Sequence, residues 1–302
     1  MSDREFDLIV ISDCVLDIYY RIEKLPIGVG DIAISNIIAT SPGGACTTAI
    51  VARKLGLNVA VIDRIGDDAF SDILVRHLND NGIYTGFMRR VHGTVTISNN
   101  LISNSGHAFL GYLGVGMDLT INEADEEAIK GSRAIYISGF YASFSRSIIN
   151  TFTEVTRMAH EYSIPVFLDV GPAIGNGELI IVLIKQSNTI FMNEEEMRRL
   201  FNGMTNLIKF ARNNNVNTVV KLGDRGAVLV HNGNVTHCKP YSVNNITTTI
   251  GAGDAFNAAY MAGLLHGLDP PNSCDLGNRV ASIRIQYLTP IELPNLEKLI
   301  TW

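Results

Sequence analysis

Short apolar runs alternate with segments of helical periodicity from the beginning of the chain. Residues 6–12 form a continuous apolar run, which predicts a strand buried on both faces of a sheet. A helix is predicted over residues 45–55, and a second strand over 58–65. The apolar positions that follow have the spacing of one buried helix face, namely Phe70, Ile73, Leu74 and Leu78. This alternation predicts βα units and a parallel sheet.

The same alternation continues regularly from residue 132 to residue 287. Strands are predicted over residues 134–138, 165–170, 189–192 and 218–222, with a hairpin over 227–238. Helices are predicted over residues 145–162, 178–185, 194–201, 206–213, 255–265 and 273–287. The pattern is that of an α/β protein with three α/β/α layers. Because no repeat, low-complexity tract or Pro/Ser linker interrupts it, we expect one domain over residues 1–302.

Two β-rich blocks do not fit a plain βα series. They span about residues 14–40, with a turn signal at 25–31, and about residues 84–113, with turn signals at 92–93 and 104–106. We expect the two blocks to pair as a small sheet that protrudes from the main body. Such a sheet would serve as a lid that excludes water from a reaction, and its apolar face would suit a homodimer.

Composition and charge narrow the functional classes. The 302 residues are 46% hydrophobic and 18% charged, and the net charge is −6 with the 24 Lys and Arg scattered along the chain. No basic stripe points to nucleic acid, and no apolar run approaches the roughly 18 residues that a membrane span needs. The first five residues are too acidic for a signal peptide. We therefore expect a cytoplasmic protein that binds a small molecule, without a nucleic-acid or membrane partner.

The cysteines and histidines give no sign of a metal or redox site. Cys14, Cys46, Cys238 and Cys274 are far apart and form no CxxC pair. The seven histidines are dispersed, and no two of them lie four residues apart as a helical metal pair would. We expect reduced, partly buried thiols and no structural metal.

Residues 247–260 are the strongest candidate for chemistry. Gly251, Ala252 and Gly253 precede an apolar helical segment, so backbone N–H groups and the positive end of a helix dipole would cradle an anion such as phosphate there. A carboxylate beside bound phosphate repels it, so its presence there is best explained by a function. Accepting the proton of an attacking hydroxyl is such a function, which makes Asp254 a candidate general base. An ordinary helix N-terminus, where glycine and aspartate are common, accounts for the same residues.

Further candidates lie where predicted strands end. Asp13 and Asp17 follow the first strand, where carboxylates can accept hydrogen bonds from substrate hydroxyls; solvated loop acids are the alternative. Residues 193–196 (NEEE) open a helix, so Asn193 could position phosphate and Glu196 could bind Mg²⁺ through water. A capped acidic first turn accounts for these residues equally well.

The segment 221–226 (KLGDRG) also follows a predicted strand. Lys221, Gly223 and Gly226 would offer a cation and two flexible backbone positions to a nucleotide. Three phosphate-compatible loops at strand ends in one half of the chain favour a common phosphate site.

The order of these motifs resembles the ribokinase-like (PfkB) carbohydrate kinases over nearly the whole chain. Residues 43–44 resemble the family's N-terminal di-glycine, residues 64–70 (RIGDDAF) its Val-Gly-Asp-Asp segment, and residues 193–196 its NxxE motif. Residues 249–256 (TIGAGDAF) are similar to its C-terminal Thr-Thr-Gly-Ala-Gly-Asp-Ala-Phe signature, which is far more specific than a glycine pair. The resemblance implies a ribokinase-like fold and ATP-dependent phosphorylation of a hydroxymethyl group, with Mg²⁺ and a β-sheet lid over the sugar.

The resemblance also implies a role for each matching residue. Asp254 would be the base, and the amides of Gly251, Ala252 and Gly253 would form the anion hole for the transferring phosphoryl group. The substrate contacts would be Asp17, Gly43 and Gly44, with which we group Asp13 and Thr47. The Mg²⁺-phosphate site would comprise Asn193 and Glu196, and the ATP-binding residues Gly223 and Gly226, with which we group Lys221, Thr249 and Asn278.

The sequence departs from the family pattern at three places. The family usually has Asn shortly after the di-glycine, whereas residues 46–48 are Cys-Thr-Thr, so the sugar preference stays open. Residues 248–250 (TTI) replace Asp-Thr-Thr, so an aspartate associated with a monovalent cation in many relatives is missing, and activation by K⁺ is not assumed. Ala45 stands where relatives that bind phosphorylated sugars often have Lys, which favours an unphosphorylated substrate.

These observations favour a kinase for a pentose, a hexose, a sugar acid or a related polyol. A nucleoside kinase on the same scaffold is the first alternative. A catalytically silent sugar- or nucleotide-binding regulator is another, because Thr47, Thr48 and Thr248 stand at altered positions. A dinucleotide-dependent dehydrogenase is disfavoured, since no G-x-G-x-x-G follows the first strand.

Overall fold

A nine-stranded sheet forms the middle layer of the protein, and a separate four-stranded sheet stands beside it. The computed structural model describes residues 5–172 and 177–300, so the remaining residues of the predicted 1–302 domain lie outside the described part. The strands in chain order are β1 (Leu8–Ile11), β2 (Cys14–Arg21), β3 (Ile37–Gly44), β4 (Val59–Ile65), β5 (Tyr84–Arg90), β6 (Thr96–Ser103), β7 (Gly106–Tyr112), β8 (Ile135–Ser138), β9 (Val166–Asp169), β10 (Thr189–Asn193), β11 (Asn217–Lys221), β12 (Ala227–His231) and β13 (Asn234–Cys238).

Helices cover both faces of the large sheet. They are α1 (Ala45–Lys54), α2 (Ala69–Asp80), α3 (Glu123–Lys130), α4 (Arg146–Glu161), α5 (Gly177–Lys185), α6 (Glu194–Phe201), α7 (Met204–Asn214), α8 (Ala252–Leu265) and α9 (Pro270–Arg284). In residues 5–172 and 177–300, no helix is both long and apolar enough to cross a membrane. The sequence pattern missed α3, whose short acidic segment starts with a capping box between Asn122 and Asp125.

The large sheet has the strand order β13-β12-β11-β10-β9-β8-β1-β4-β5. The strands from β11 to β5 in this order are parallel, and β12 and β13 add an antiparallel edge. Along β1, Leu8 and Val10 pack into the core on the side of α1, α8 and α9, whereas Ile9 and Ile11 pack into the core on the side of α4. Both faces of the strand are therefore buried, and the predicted three-layer α/β/α architecture is confirmed.

The small sheet has the strand order β3-β2-β6-β7. Its β2–β3 hairpin comes from the first predicted β block, and β6 and β7 come from the second. Residues 84–90 do not belong to it, because they form β5 and pair in parallel with β4 at the edge of the large sheet. Tyr84 and Phe87 of β5 pack against Phe6, with ring centroids 5.3 and 6.1 Å apart, and these contacts hold the strand on the main body. The second predicted β block, residues 84–113, therefore begins too early, because its first residues belong to the large sheet.

The four cysteines form two disulfides, so the prediction of reduced thiols is wrong. The antiparallel pairing of β2 with β3 sets Cys14 opposite Gly44, two residues before Cys46, and the two cysteine Cα atoms are 5.0 Å apart. Cys238 at the end of β13 meets Cys274 in α9 with a Cα–Cα distance of 6.1 Å. The partners are 32 and 36 residues apart in the chain, and only the tertiary fold brings them together.

Candidate active site

The carboxyl ends of neighbouring parallel strands bring a row of polar residues to one edge of the large sheet. Following the strand order β1, β8, β9, β10 and β11, the row consists of Asp13, Ser138, Asp169, Asn193 and Lys221. Asp13 lies just beyond β1, and each of the others is the last residue of its strand. Ligands of open α/β sheets bind outside this edge, so the fold assembles a site from distant parts of the chain.

The first turn of α8 faces this row. Gly251 caps the helix at φ +76°, and a Cβ atom there would lie 3.3 Å from both Arg284 Nε and Thr47 Cγ2. At Gly253 a Cβ atom would lie 3.2 Å from Lys221 Nζ. The amide of Ala252 donates to the Thr249 carbonyl, at 3.3 Å. A helix N-terminus and a lysine ammonium thus converge on one small volume, which is the chemistry of an anion site.

A partly buried ion pair fixes Lys221 in this position. Its Nζ donates to Asp169 Oδ2 at 2.8 Å and to Asn257 Oδ1 at 3.2 Å, and Asn257 Nδ2 donates to the same carboxylate at 2.7 Å. Burial opposes ionisation of Asp169, but Lys221 outweighs it and holds the pKa of this carboxyl below its usual value. Asn257 lies one turn after Asp254 in α8, so the network ties that helix to the ends of β9 and β11.

Asp254 lies partly buried in the first turn of α8. Burial, followed by repulsion from Asp169 and Asp17, raises the pKa of its carboxyl to about 7, although Lys221 and Arg284 act in the opposite direction. A general base is most effective when its pKa is close to the working pH. The carboxyl of Asp254 has that property.

Asp17 lies on β2 in the small sheet, and 6% of its surface is exposed. A Cβ atom on Gly43 would come within 2.3 Å of its carboxyl group, so glycine at that position makes room for the carboxylate. The Tyr19 hydroxyl donates to Asp17 Oδ2 at 3.0 Å. Burial raises the pKa of Asp17 to about 6, against the effect of hydrogen bonds from Asn100 and Tyr19.

Asp13 and Thr47 are buried next to the same segment. Ser138 Oγ donates to Asp13 Oδ2 at 2.6 Å, and Asp13 Oδ1 has no hydrogen-bond partner. Gly44 has φ +56°, and a Cβ atom on it would lie 2.3 Å from the Asp13 carbonyl oxygen. The Thr47 hydroxyl donates to the Pro42 carbonyl at 3.4 Å, so its methyl group, not its hydroxyl, faces Gly251. Asp13 therefore offers an acceptor here, whereas Thr47 contributes shape.

Asn193 and Glu196 form a capping box at the start of α6. Glu196 N donates to Asn193 Oδ1 at 2.9 Å, and Asn193 N donates to Glu196 Oε2 at 2.6 Å. The capped first turn that the sequence left open is therefore present. Burial, and then the charge of Asp169, raise the pKa of Glu196 to about 7, so this side chain also belongs to the electrostatic environment of the strand-end row.

The remaining predicted ATP residues differ in accessibility. Gly226 has φ +81°, and a Cβ atom on it would lie 2.2 Å from the Cys238 carbonyl, so the backbone geometry itself requires glycine. Gly223 has φ +65° with no atom within 4 Å of a Cβ position, and Thr249 is exposed. Asn278 Nδ2 donates to the carbonyls of Cys238 and Lys239, at 3.0 Å each, and holds the end of β13.

The carboxylates around Lys221 do not form a protein-built metal site. Within the described parts of the chain, no group of three or more His, Cys, Asp or Glu residues could hold a metal ion. The charge of Asp169 nevertheless raises the pKa of both Glu196 and Asp254. A divalent cation carried in by phosphate oxygens and water would relieve this repulsion, and Mg²⁺ commonly binds in this manner.

Comparison with known proteins identifies the family. The model of the pfkB family carbohydrate kinases matches residues 6–297.

The chain belongs to the pfkB family of carbohydrate kinases.

Several relatives of this PfkB kinase match over most of their length. It is 25% identical to "Ribokinase" of Bacillus subtilis (strain 168), over 92% of both chains. It is 27% identical to "5-dehydro-2-deoxygluconokinase" of Bacillus thuringiensis (strain Al Hakam), over 94% of this chain and 90% of the relative. The structure of Arabidopsis thaliana ribokinase complexed with ribose and ATP superposes with a TM-score of 0.82 at 21% identity, over 98% of this chain and 99% of that one. The family resemblance, the ribokinase-like fold and the kinase class are therefore confirmed.

The structure of this PfkB kinase adds residues that the sequence did not single out. Asp169 is the last residue of β9 and lies one residue before the end of the predicted strand 165–170, so a strand-end rule widened by one residue would have found it. Asn257 lies one helical turn from Asp254 and could have been found by that spacing. Arg284 interrupts the apolar positions of the last helix, and nothing in the local pattern shows that its side chain reaches Gly251.

Proposed function

We propose that this PfkB kinase transfers the γ-phosphoryl group of ATP to a hydroxymethyl group of an unphosphorylated sugar, sugar acid or related polyol. The observation that carries the proposal is the position of Asp254. Its carboxylate lies in the first turn of α8, directly beside the Gly251–Gly253 backbone and within the electrostatic reach of Lys221. The names of the two curated relatives, a ribokinase and a 5-dehydro-2-deoxygluconokinase, support a sugar or a sugar derivative.

The proposed reaction uses Asp254 as the general base. As the substrate hydroxyl attacks the γ-phosphorus of ATP, its proton passes to the Asp254 carboxylate. The new O–P bond forms while the bond to the bridging oxygen breaks, and ADP leaves. The amides of Gly251 and Gly253, the α8 dipole and Lys221 stabilise the negative charge of the transferring group, and the Ala252 amide joins them when it leaves the Thr249 carbonyl. General-base assistance contributes about 10²–10⁴-fold in rate.

We assign the acceptor to one end of the strand-end row and the nucleotide to the other. Asp13, Asp17, Gly43 and Gly44 line the acceptor end, with Thr47 shaping it, because they lie where β1, β2 and β3 meet. The nucleotide end comprises Asn193, Lys221, Gly223, Gly226, Thr249 and Asn278. Mg²⁺ bound to the ATP phosphates would supply additional positive charge, and Glu196 would hold it through water. Activation by K⁺ is not assumed, since the aspartate associated with a monovalent cation in many relatives is replaced at Thr248.

We further propose that the small sheet is a lid and that two lids pair in a homodimer. Its β3 and β7 strands expose large apolar side chains, namely Ile37, Ile38, Phe109, Leu110 and Tyr112. These strands are the two edges of the small sheet, and exposed apolar side chains at both edges favour association. Sedimentation analysis of the purified protein should give a dimer, and substitution of Ile38 and Leu110 by Glu should give a monomer. A wild-type monomer at micromolar concentration would refute the dimer.

A panel of acceptors tests the proposed reaction. Purified protein is supplied with Mg²⁺-ATP and each of a set of pentoses, hexoses, sugar acids, polyols and nucleosides, and ADP release is measured together with the mass of the product. We expect acceptor-dependent ADP release with at least one sugar, sugar acid or polyol. Exclusive activity on nucleosides would replace the sugar-kinase assignment with a nucleoside kinase. A folded protein that phosphorylates none of the panel would contradict the proposal and support a regulator.

A further inference from the structure

Arg284 is the largest of the fully buried side chains, with 0% of its surface exposed. It is the last residue of α9, and its guanidinium turns back toward the following turn. One terminal nitrogen donates to the Tyr287 carbonyl at 2.8 Å, and the other lies 3.3 Å from the Leu288 carbonyl oxygen. The third nitrogen, Nε, is buried without a hydrogen-bond partner. A buried donor without a partner is unfavourable, so its retention needs a reason.

The guanidinium lies directly behind the anion cradle. A Cβ atom on Gly251 would be 3.3 Å from Arg284 Nε and 3.4 Å from a terminal nitrogen, so a larger residue would press tightly against the guanidinium. The turn that binds the guanidinium also holds the segment leading into the cradle. Its Ile285 carbonyl accepts hydrogen bonds from the amides of Thr247 and Thr248, at 2.8 and 3.2 Å. Arg284 and the cradle are therefore fixed to one another through residues 285–288.

The charge of Arg284 is also unusual in its surroundings. Among the ion pairs of the described residues, none includes Arg284. Its positive charge nonetheless acts on Asp17 and Tyr19 of β2, on Asp254 of α8 and on Glu292. A buried charge without an ion pair destabilises the fold, and an apolar side chain of similar volume would fill the space. The position of the charge beside the site suggests a functional reason.

We propose that Arg284 is a positioning residue for phosphoryl transfer, which holds the Gly251 turn from behind and places a fixed positive charge beneath the transferring phosphoryl group. This inference rests on the proposed kinase function. Arg284 does not touch the reacting atoms. It acts through the backbone of the cradle, whose amides must point at the phosphoryl oxygens to stabilise them, and through the field that its charge adds there.

Three substitutions separate the charge from the packing. Arg284→Met removes the charge and the hydrogen bonds, Arg284→Gln removes the charge and keeps donors, and Arg284→Lys keeps the charge but cannot span both carbonyls. For Met and Gln we expect kcat to fall about 10–100-fold, with KM for ATP changed less than about threefold, because the lost stabilisation belongs to the transition state. For Lys we expect a fall of about threefold to tenfold.

The pH profile gives a readout that a purely structural role would not move. Arg284 lowers the pKa of Asp254 and of Asp17, while Asp169 and Lys221, which also act on Asp254, are unchanged in the variants. The rising limb of kcat/KM should therefore shift to higher pH in Arg284→Met and Arg284→Gln and stay in place in Arg284→Lys. Arg133→Gln is the matched control, because Arg133 donates to the Leu265 carbonyl at the opposite end of α8.

The outcomes are distinct. Met and Gln variants that fold and retain the wild-type kcat and pH profile would overturn the inference, as would variants that lose thermal stability alone. If neither neutral variant folds, Arg284→Lys decides, and a wild-type kcat in that variant overturns the positioning role. A folded wild-type protein without activity on any acceptor would refute the proposed kinase function and this inference with it, whereas an active wild type with normal Arg284 variants would refute the inference alone.

Discussion

Replacing Asp254 by Asn should slow turnover at least about 100-fold and at the same time stabilise the folded protein. The proposed base lies among other carboxylates, and burial and the charge of Asp169 raise its pKa from 3.8 to about 7. At about 1.4 kcal/mol per pKa unit, ionising Asp254 in the folded state costs about 4 kcal/mol at alkaline pH.

The expected stabilisation depends on pH in a defined direction. Because the folded protein binds the Asp254 proton more tightly than the unfolded chain does, wild-type stability declines as the pH rises from about 4 to about 7. Asn does not titrate, so the difference between variant and wild type should be about 1.5–2 kcal/mol at pH 5 and reach about 4 kcal/mol above pH 8. With an unfolding entropy near 2.1 cal/mol/K per residue, these differences correspond to Tm increases of about 3 °C and about 6 °C.

Two assays on the same protein samples test this reasoning. ADP release with the best acceptor should be at least about 100-fold slower in Asp254→Asn. Thermal unfolding should show a Tm increase of about 3 °C at pH 5 and about 6 °C at pH 8. Asp72→Asn is the matched control, because Asp72 lies in the first turn of α2 but is exposed and pairs with Arg90 at 2.7 Å. Near-wild-type turnover would refute the base assignment, and a lower Tm at pH 8 would refute the electrostatic argument.

Three other outcomes follow from the geometry. The kcat/KM of the wild type should rise with pH around a midpoint of about 7, with about one tenth of the maximum at pH 6, because Asp254 must be ionised to accept a proton. A flat profile of kcat/KM between about pH 5.5 and 8 would contradict this expectation. Gly43→Ala should raise KM for the acceptor at least about tenfold and leave KM for ATP unchanged, since its Cβ would lie 2.3 Å from the Asp17 carboxyl. Gly111→Ala is the control, because the atom closest to its Cβ would be 3.8 Å away. Equal effects of Gly43→Ala on the KM of both substrates would refute the assignment. Cys274→Ser should lower the free energy of unfolding by about 2–4 kcal/mol under non-reducing conditions, because the disulfide to Cys238 closes a loop of 36 residues. Alkylation of the unreduced, denatured wild type should label no cysteine, and labelling would show that the bridge is absent.

Local patterns in the sequence were enough to predict the layers and to indicate a candidate for the phosphoryl-transfer end of the site. The glycines and the acid of residues 251–254 are contiguous, so their chemistry is visible without a fold. Strands such as β1 are apolar on both faces, and this distinguishes a buried parallel strand from a surface one. The lid hairpin of β2 and β3 was visible for a similar reason, since its turn residues lie between two β-rich segments.

Features that depend on distant pairing could not be predicted in this way. The disulfide between Cys14 and Cys46 requires the β2–β3 register, and β5 could be assigned to the large sheet only from its pairing with β4. The ion pair between Asp169 and Lys221 joins the ends of two strands that are not adjacent in the sheet. No local periodicity carries information about these contacts.

Gly251 has a wider consequence, because it is where the two ends of the site meet. In the proposed function, the residues that would face the acceptor come from the first part of the chain, through β1, β2, β3 and α1, and those that would face the phosphates come from the second half, through β9 to β11 and α8. Substitutions in the first set are then expected to change the acceptor preference without altering the residues proposed for phosphoryl transfer. Gly251 is the exception, since Thr47 packs against it from one side and Arg284 from the other. On this proposal, the tolerance for substitution is greatest along the small sheet and least at this single glycine.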